Sequence, residues 1–98
     1  MVLYLIHNKI NGKMYVGQTE RTMDERWSEH IHSTNRSRHY PLYRAMKKHG
    51  VENFEVLQLC AAETQESADR LEMILIMAAR SKAPHGYNLT DGGKRGAR

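Results

Sequence analysis

The sequence predicts a small mixed α/β (α+β) domain with the element order β-β-α-α-β-α. Three observations carry that prediction. Two short aliphatic and aromatic runs near the start are separated by a stretch ending in Asn11-Gly12, a pair that tolerates the positive φ of a tight hairpin turn. Three later segments begin with a helix-starting residue and carry apolar side chains at helical spacing. One further apolar run, Phe54 to Cys60, lies between the second and third of these segments. Ninety-eight residues, 40% of them hydrophobic, suffice for one core and not for two.

The first strand is read over Leu3 to Ile6 and the second over Lys13 to Gly17. Side chains alternate along a strand, so Tyr4 shares a face with Ile6, and Lys13 and Tyr15 share one with Gly17. The simplest registry puts Tyr4, Lys13 and Tyr15 on a common face of the hairpin. Thr22 and Glu25 form a capping-box pattern that opens the first helix, which continues through Trp27 and Ile31. Arg26 and His30, four residues apart, project from one side of it. Asn35 to His39 reads as loop. Pro41 suits the first turn of a second helix, with Leu42, Ala45 and Met46 on one side and Gly50 at its end. The third strand spans Phe54 to Cys60. Thr64 caps a third helix whose apolar positions are Ala68, Leu71, Leu75 and Ala78, and Pro84, Gly86, Gly92 and Gly93 then break regular structure.

The formal charge is +4, but Lys94, Arg95 and Arg98 carry three of those charges, leaving +1 for residues 1–93. Within that body Arg36, Arg38, Arg44, Lys47 and Lys48 follow one another with no acidic residue between them. Such a strip suits contacts to the phosphates of DNA, and it equally describes a solvated helix face. A single cysteine, Cys60, excludes an internal disulfide and fits a reducing compartment. No apolar stretch reaches the length of a membrane span, and the start lacks the basic leader of a secretion signal, so a cytoplasmic protein without membrane partners is expected. The other histidines (His7, His32, His39, His49 and His85) show no zinc-site spacing.

A few polar residues stand out against this background. Glu72 interrupts the apolar run of the third helix, where a carboxylate is costly unless paired, protonated or metal-bound. A glutamate turned to solvent or paired with Arg26 explains it as well. A guanidinium at Arg26 can steady an anionic phosphate through paired hydrogen bonds, and His30 can orient water, touch the phosphate or pass a proton. Arg-x-x-x-His is also an ordinary surface pattern. Tyr4 and Tyr15 are explained by cross-strand packing as readily as by chemistry, because a phenol with a pKa near ~10 needs a neighbouring cation or metal to act as a base. Asn88, after a proline-containing break, can tie a loop or hold a phosphate.

Taken together and in order, Tyr4, Tyr15-Val16-Gly17, Arg26-Trp27-Ser28-Glu29-His30, Glu72 and Gly86-Tyr87-Asn88 resemble the catalytic core of the GIY-YIG nuclease superfamily. The resemblance runs from Leu3 to Gly93. The first namesake segment appears as Val2-Leu3-Tyr4 without its glycine, and the second has valine for isoleucine. Lys48-His49-Gly50 and Asn53-Phe54 make it most similar to phage and intron-encoded homing endonucleases. The resemblance implies a three-stranded antiparallel sheet flanked by three helices. It also implies metal-dependent hydrolysis of DNA, one strand at a time, to 5′-phosphate and 3′-hydroxyl ends. Glu72 then holds Mg2+ (with Mn2+ able to substitute), and Arg26 steadies the scissile phosphate. Tyr15, with Tyr4 and His30, manages water and protons; Asn88 completes the site, and Lys13 and Gly17 support it. Double-stranded DNA is the expected partner, read with low intrinsic sequence specificity. Homing enzymes of this type usually carry a separate DNA-targeting region, so residues 1–93 are expected to form the nuclease domain. Residues 94–98 are then a basic tail or the start of a linker, in a phage, mobile-element or bacterial setting. The alternative is a catalytically inactive nucleic-acid-binding module of the same fold, using the basic strip with Trp27, Tyr40 and Tyr43. A third reading is a small structural or interaction domain.

Overall fold

The computed structural model describes residues 1–36 and 39–93. Its elements are β1 (Val2–Asn8), β2 (Met14–Thr19), α1 (Met23–Ser33), α2 (Pro41–His49), β3 (Phe54–Ala61) and α3 (Gln65–Ala79), with a single 3-10 turn at Val51–Asn53. The strands form one antiparallel sheet in the order β2-β1-β3, so β1 is central. The order β-β-α-α-β-α, the three strands and the three helices are as the sequence predicts.

The helix ends are set by the residues expected to set them. The Thr22 hydroxyl accepts from the Glu25 amide at 3.2 Å, while the Glu25 carboxylate accepts from the Thr22 amide at 3.1 Å. Pro41 occupies the first turn of α2, and the Gly50 amide closes it on the Met46 carbonyl at 3.0 Å. Thr64 accepts from the Ser67 amide at 3.1 Å at the start of α3.

The hairpin differs from its expectation. Asn11-Gly12 does not make a two-residue turn, because β1 stops at Asn8 and a wider loop leads to Met14. Asn8 closes it, its amide donating to the Lys13 carbonyl at 2.9 Å and its side chain accepting from the Ile10 amide at 2.9 Å. Of the Asn11-Gly12 pair, only Gly12 takes a positive φ, 79°. Lys13 consequently falls before β2, not within it. The register sets Tyr4 against Gly17 and Ile6 against Tyr15.

Both faces of the sheet are covered. Tyr4 and Ile6 pack with Leu42 and Met46 of α2, Trp27 and Ile31 of α1, and Phe54 and Tyr87. On the opposite face Leu3 packs with Ala62 and Ala68, flanked by Leu71 and Leu75 of α3 and by the free thiol residue Cys60. Because α3 also runs along the edge strand β2, where Gln18 donates to Asp69 at 2.9 Å, its buried line is displaced from the predicted one. It follows Ala68, Glu72 and Ile76, with Leu71 and Leu75 half-buried beside it and Ala78 exposed. Glu72 therefore sits within the buried stripe. No helix among the described residues is long and apolar enough to cross a membrane.

Candidate active site

A cavity of about 320 Å³ opens beside the face of the sheet that bears Tyr4. Its lining includes Tyr15 from β2, Arg26 from α1, Tyr43 from α2, Glu72 from α3 and Asn88 from the segment after α3. Five separate parts of the chain thus bring polar groups to one place.

Tyr4 lies directly behind that lining, with no exposed surface. Its ring covers Gly17, and a Cβ there would come to 2.5 Å from the Tyr4 Cζ and 3.0 Å from the Tyr15 Cε2. The glycine is required by the approach of the phenol, not by its own backbone angles. The Tyr4 oxygen is 2.7 Å from His30 Nε2 and accepts from Arg26 Nε at 3.2 Å. Burial, and then Tyr15, raise the Tyr4 pKa far above that of an ordinary tyrosine, so the phenol stays protonated.

His30 is held at both ring nitrogens. Its Nδ1 is 2.8 Å from the Tyr43 hydroxyl, and only 1% of the residue is exposed. Burial and the nearby Arg26 charge push its pKa down to about 3, so the imidazole is neutral at working pH. The ring also meets Tyr15 edge-on, with centroids 5.7 Å apart. Arg26 donates through Nη1 to Glu29 at 3.0 Å. Burial works against its charge, but Tyr4, Glu29 and Tyr15 more than offset it, and its pKa is raised.

Glu72 is 99% buried, yet its carboxylate lines the cavity. Oε1 accepts from the Gly93 amide at 3.1 Å, and among the described residues Glu72 joins no ion pair. Among those residues there is also no cluster of three or more His, Cys, Asp or Glu able to enclose a metal. One hard carboxylate oxygen set in a cavity with room for water and a phosphate fits a hydrated divalent ion such as Mg2+, which keeps several waters. It does not fit zinc, whose sites gather nitrogen and sulfur ligands.

Asn88 has its amide committed to the backbone. Oδ1 accepts from the Val16 amide at 2.9 Å and from the Ser81 hydroxyl at 2.6 Å, and Nδ2 donates to the Val16 carbonyl at 2.8 Å. The neighbouring Tyr87 ties the same segment to the hairpin, donating its amide to the Met14 carbonyl at 2.9 Å and accepting from Asn8 at 2.9 Å.

The remaining sequence-predicted residues lie elsewhere. Lys13 does not line the cavity. Arg36, Arg44, Lys47 and Lys48 are exposed and also outside it, with Arg44, Lys47 and Lys48 on one side of α2 and Lys47 donating to Asn35 at 3.0 Å. Arg38 and residues 94–98 lie outside the described residues. Two participants had no such role in the sequence reading: Tyr43, considered there for stacking alone, and fully buried Ser81, which anchors Asn88. Neither is marked by spacing or composition.

The family model of the GIY-YIG catalytic domain matches residues 1–88. Two solved structures of the catalytic domain of the intron-encoded homing endonuclease I-TevI superimpose on the chain. One, a glutamate-to-alanine variant, has a TM-score of 0.80 at 29% identity and covers 94% of this chain and 97% of that one. The other has a TM-score of 0.78 at 27% identity, covering 92% and 99%. The uncharacterized protein 019R of Invertebrate iridescent virus 6 is 39% identical over 57 residues, which is 58% of this chain and 20% of that protein. The shared segment thus spans a fifth of that relative.

Proposed function

Because the chain belongs to the GIY-YIG catalytic-domain family, we propose that it is a divalent-metal-dependent DNA endonuclease. The observation that carries this reading is Glu72, a buried carboxylate with no cationic partner among the described residues, facing the same cavity as Arg26 and Tyr15. A purely structural glutamate in such a place would be expected to be neutralised by an arginine or turned outward.

The substrate is double-stranded DNA, and the bond broken is that between phosphorus and the 3′ oxygen, giving 5′-phosphate and 3′-hydroxyl ends. Arg26, with two of its N–H groups fixed by Tyr4 and Glu29, uses the others to hold the scissile phosphate as negative charge grows on it. Tyr15 is the general base or proton relay for the attacking water. Tyr4 and His30 do not touch substrate; they are enclosed, neutral groups that hold Arg26 and Tyr43 in place. Glu72 would hold Mg2+, or Mn2+ in its stead, and the bound ion would supply Lewis-acid stabilisation of charge on the phosphate. Asn88 acts by fixing β2, and hence Tyr15, against the last segment of the site.

Arg36, Arg44, Lys47 and Lys48 contact DNA phosphates outside the cavity and orient the duplex without reading bases. Intrinsic sequence specificity is accordingly low. Residues 1–93 form the nuclease unit and 94–98 a basic tail or the start of a linker; because the unit itself reads few bases, target choice falls to a separate domain or subunit.

Resealing tests the end chemistry. Plasmid nicked by the protein with Mg2+ is expected to be closed by DNA ligase without prior end repair. Nicks that form equally in excess EDTA, or that ligase cannot close, would overturn the proposed reaction.

A further inference from the structure

The hydrogen bonds around His30 have a direction, and it can be worked out donor by donor. Arg26 can only donate, so its Nε–H points at the Tyr4 oxygen. Tyr4 is wholly buried, and its own proton must find an acceptor inside the protein. His30 Nε2, 2.7 Å away, is that acceptor. Nε2 therefore carries no proton, and the neutral imidazole carries it on Nδ1. Nδ1–H then donates to the Tyr43 oxygen 2.8 Å away. With that lone pair occupied, the Tyr43 proton is directed away from His30. Tyr43 lines the cavity there, with the Ser33 hydroxyl beside it. A serine hydroxyl both donates and accepts, so it yields readily to a stronger acceptor.

From this we infer that Arg26, Tyr4, His30 and Tyr43 form a one-way chain of hydrogen bonds, and that Tyr43 at its end donates its O–H to a non-bridging oxygen of the scissile phosphate. The inference rests on the nuclease reading for the identity of the anion, though not for the direction of the chain. A guanidinium at the start polarises each successive bond toward the cavity, so the final O–H is a stronger donor than a lone phenol. Placed there, Tyr43 joins Arg26 in stabilising charge that grows in the transition state. It also explains why a buried neutral histidine lies between two tyrosines: it passes on orientation, and no net proton transfer is needed.

Two measurements test this. The first is the 15N NMR spectrum of the His30 ring in the wild-type protein near neutral pH without DNA, where a proton on Nδ1 is expected. A proton on Nε2, or a doubly protonated ring, overturns the chain. The second is steady-state nicking by Tyr43→Phe with its fold checked by thermal melting. A kcat loss on the order of 100-fold with KM nearly unchanged is expected. In the same variant the His30 ring should keep its proton on Nδ1, because Arg26 and Tyr4 still occupy Nε2 from the other side, and a shift of the proton to Nε2 would overturn the proposed direction of the chain. A raised KM with normal kcat, or no kinetic change, refutes donation in the transition state. If the wild type cuts no DNA yet shows the Nδ1 proton, the chain stands and the phosphate assignment falls with the nuclease reading.

Discussion

Acid should destabilise this protein through His30. In the folded state burial and Arg26 hold the imidazole's pKa at about 3, against an ordinary value of 6.5. Its surroundings are Arg26, Tyr4, Tyr15 and Tyr43, none of them an anion, so nothing nearby compensates a second ring proton. Between those two pKa values the unfolded chain binds a proton that the folded one refuses. Stability is therefore unaffected above about pH 6.5 and falls as the pH drops below it, by about 1.4 kcal/mol per pH unit. At pH 5 the loss is about 2 kcal/mol, and it levels off near pH 3. Against a typical total of about 5–15 kcal/mol this is readily measured. Urea unfolding at pH 7, 6 and 5 should be compared between the wild type and His30→Gln, so that titrations common to both cancel. The wild type is expected to lose about 2 kcal/mol more than the variant between pH 7 and 5. Parallel profiles would refute the claim that His30 is held neutral by its surroundings.

Gly17→Ala should lower stability by about 1–3 kcal/mol, read as a reduced melting temperature, because Tyr4 has no free space into which to withdraw from a new methyl group. Asn88→Ala strands the Val16 amide and carbonyl and the Ser81 hydroxyl, and urea unfolding should show a loss of about 3 kcal/mol. A variant of unchanged stability that has lost only kcat would instead make Asn88 a direct participant. DNA binding should weaken steeply with salt, and Arg44→Ala or Lys47→Ala should each reduce the slope of log K against log salt by about 1 without altering sequence preference. A slope unchanged by both substitutions would remove α2 from the DNA-binding surface.

Much of the fold is legible in the sequence because local chemistry decides it. Thr22 with Glu25, Pro41, Gly50 and Thr64 mark helix ends through bonds made within a few residues, and all four are used as expected. The hairpin turn is less legible. Asn8 is held by Tyr87, 79 positions away, and β1 ends there, short of the residues that an Asn-Gly turn would have paired. The stripe on α3 moved for a similar reason: the helix meets both Leu3 and the cavity, and periodicity registers only apolar positions, so Glu72 fell outside it. Within the candidate site, the conspicuous residue types at recognisable spacing were legible, among them Arg26, His30 and Glu72. Tyr43 was legible as a residue but not as a partner of His30, since that contact depends on how α1 and α2 cross. Ser81 left no trace, because a buried serine has meaning only once Asn88 has folded back onto Val16.

Glu72 is the residue on which the proposed reaction depends, and its removal is the most direct test. Supercoiled plasmid should be incubated at low salt with Mg2+ and either wild type or Glu72→Ala, both shown to be folded by their melting curves. Open-circular product is expected from the wild type and none from the variant. Equal nicking by both proteins would contradict that dependence, because the buried carboxylate would then have no part in the reaction.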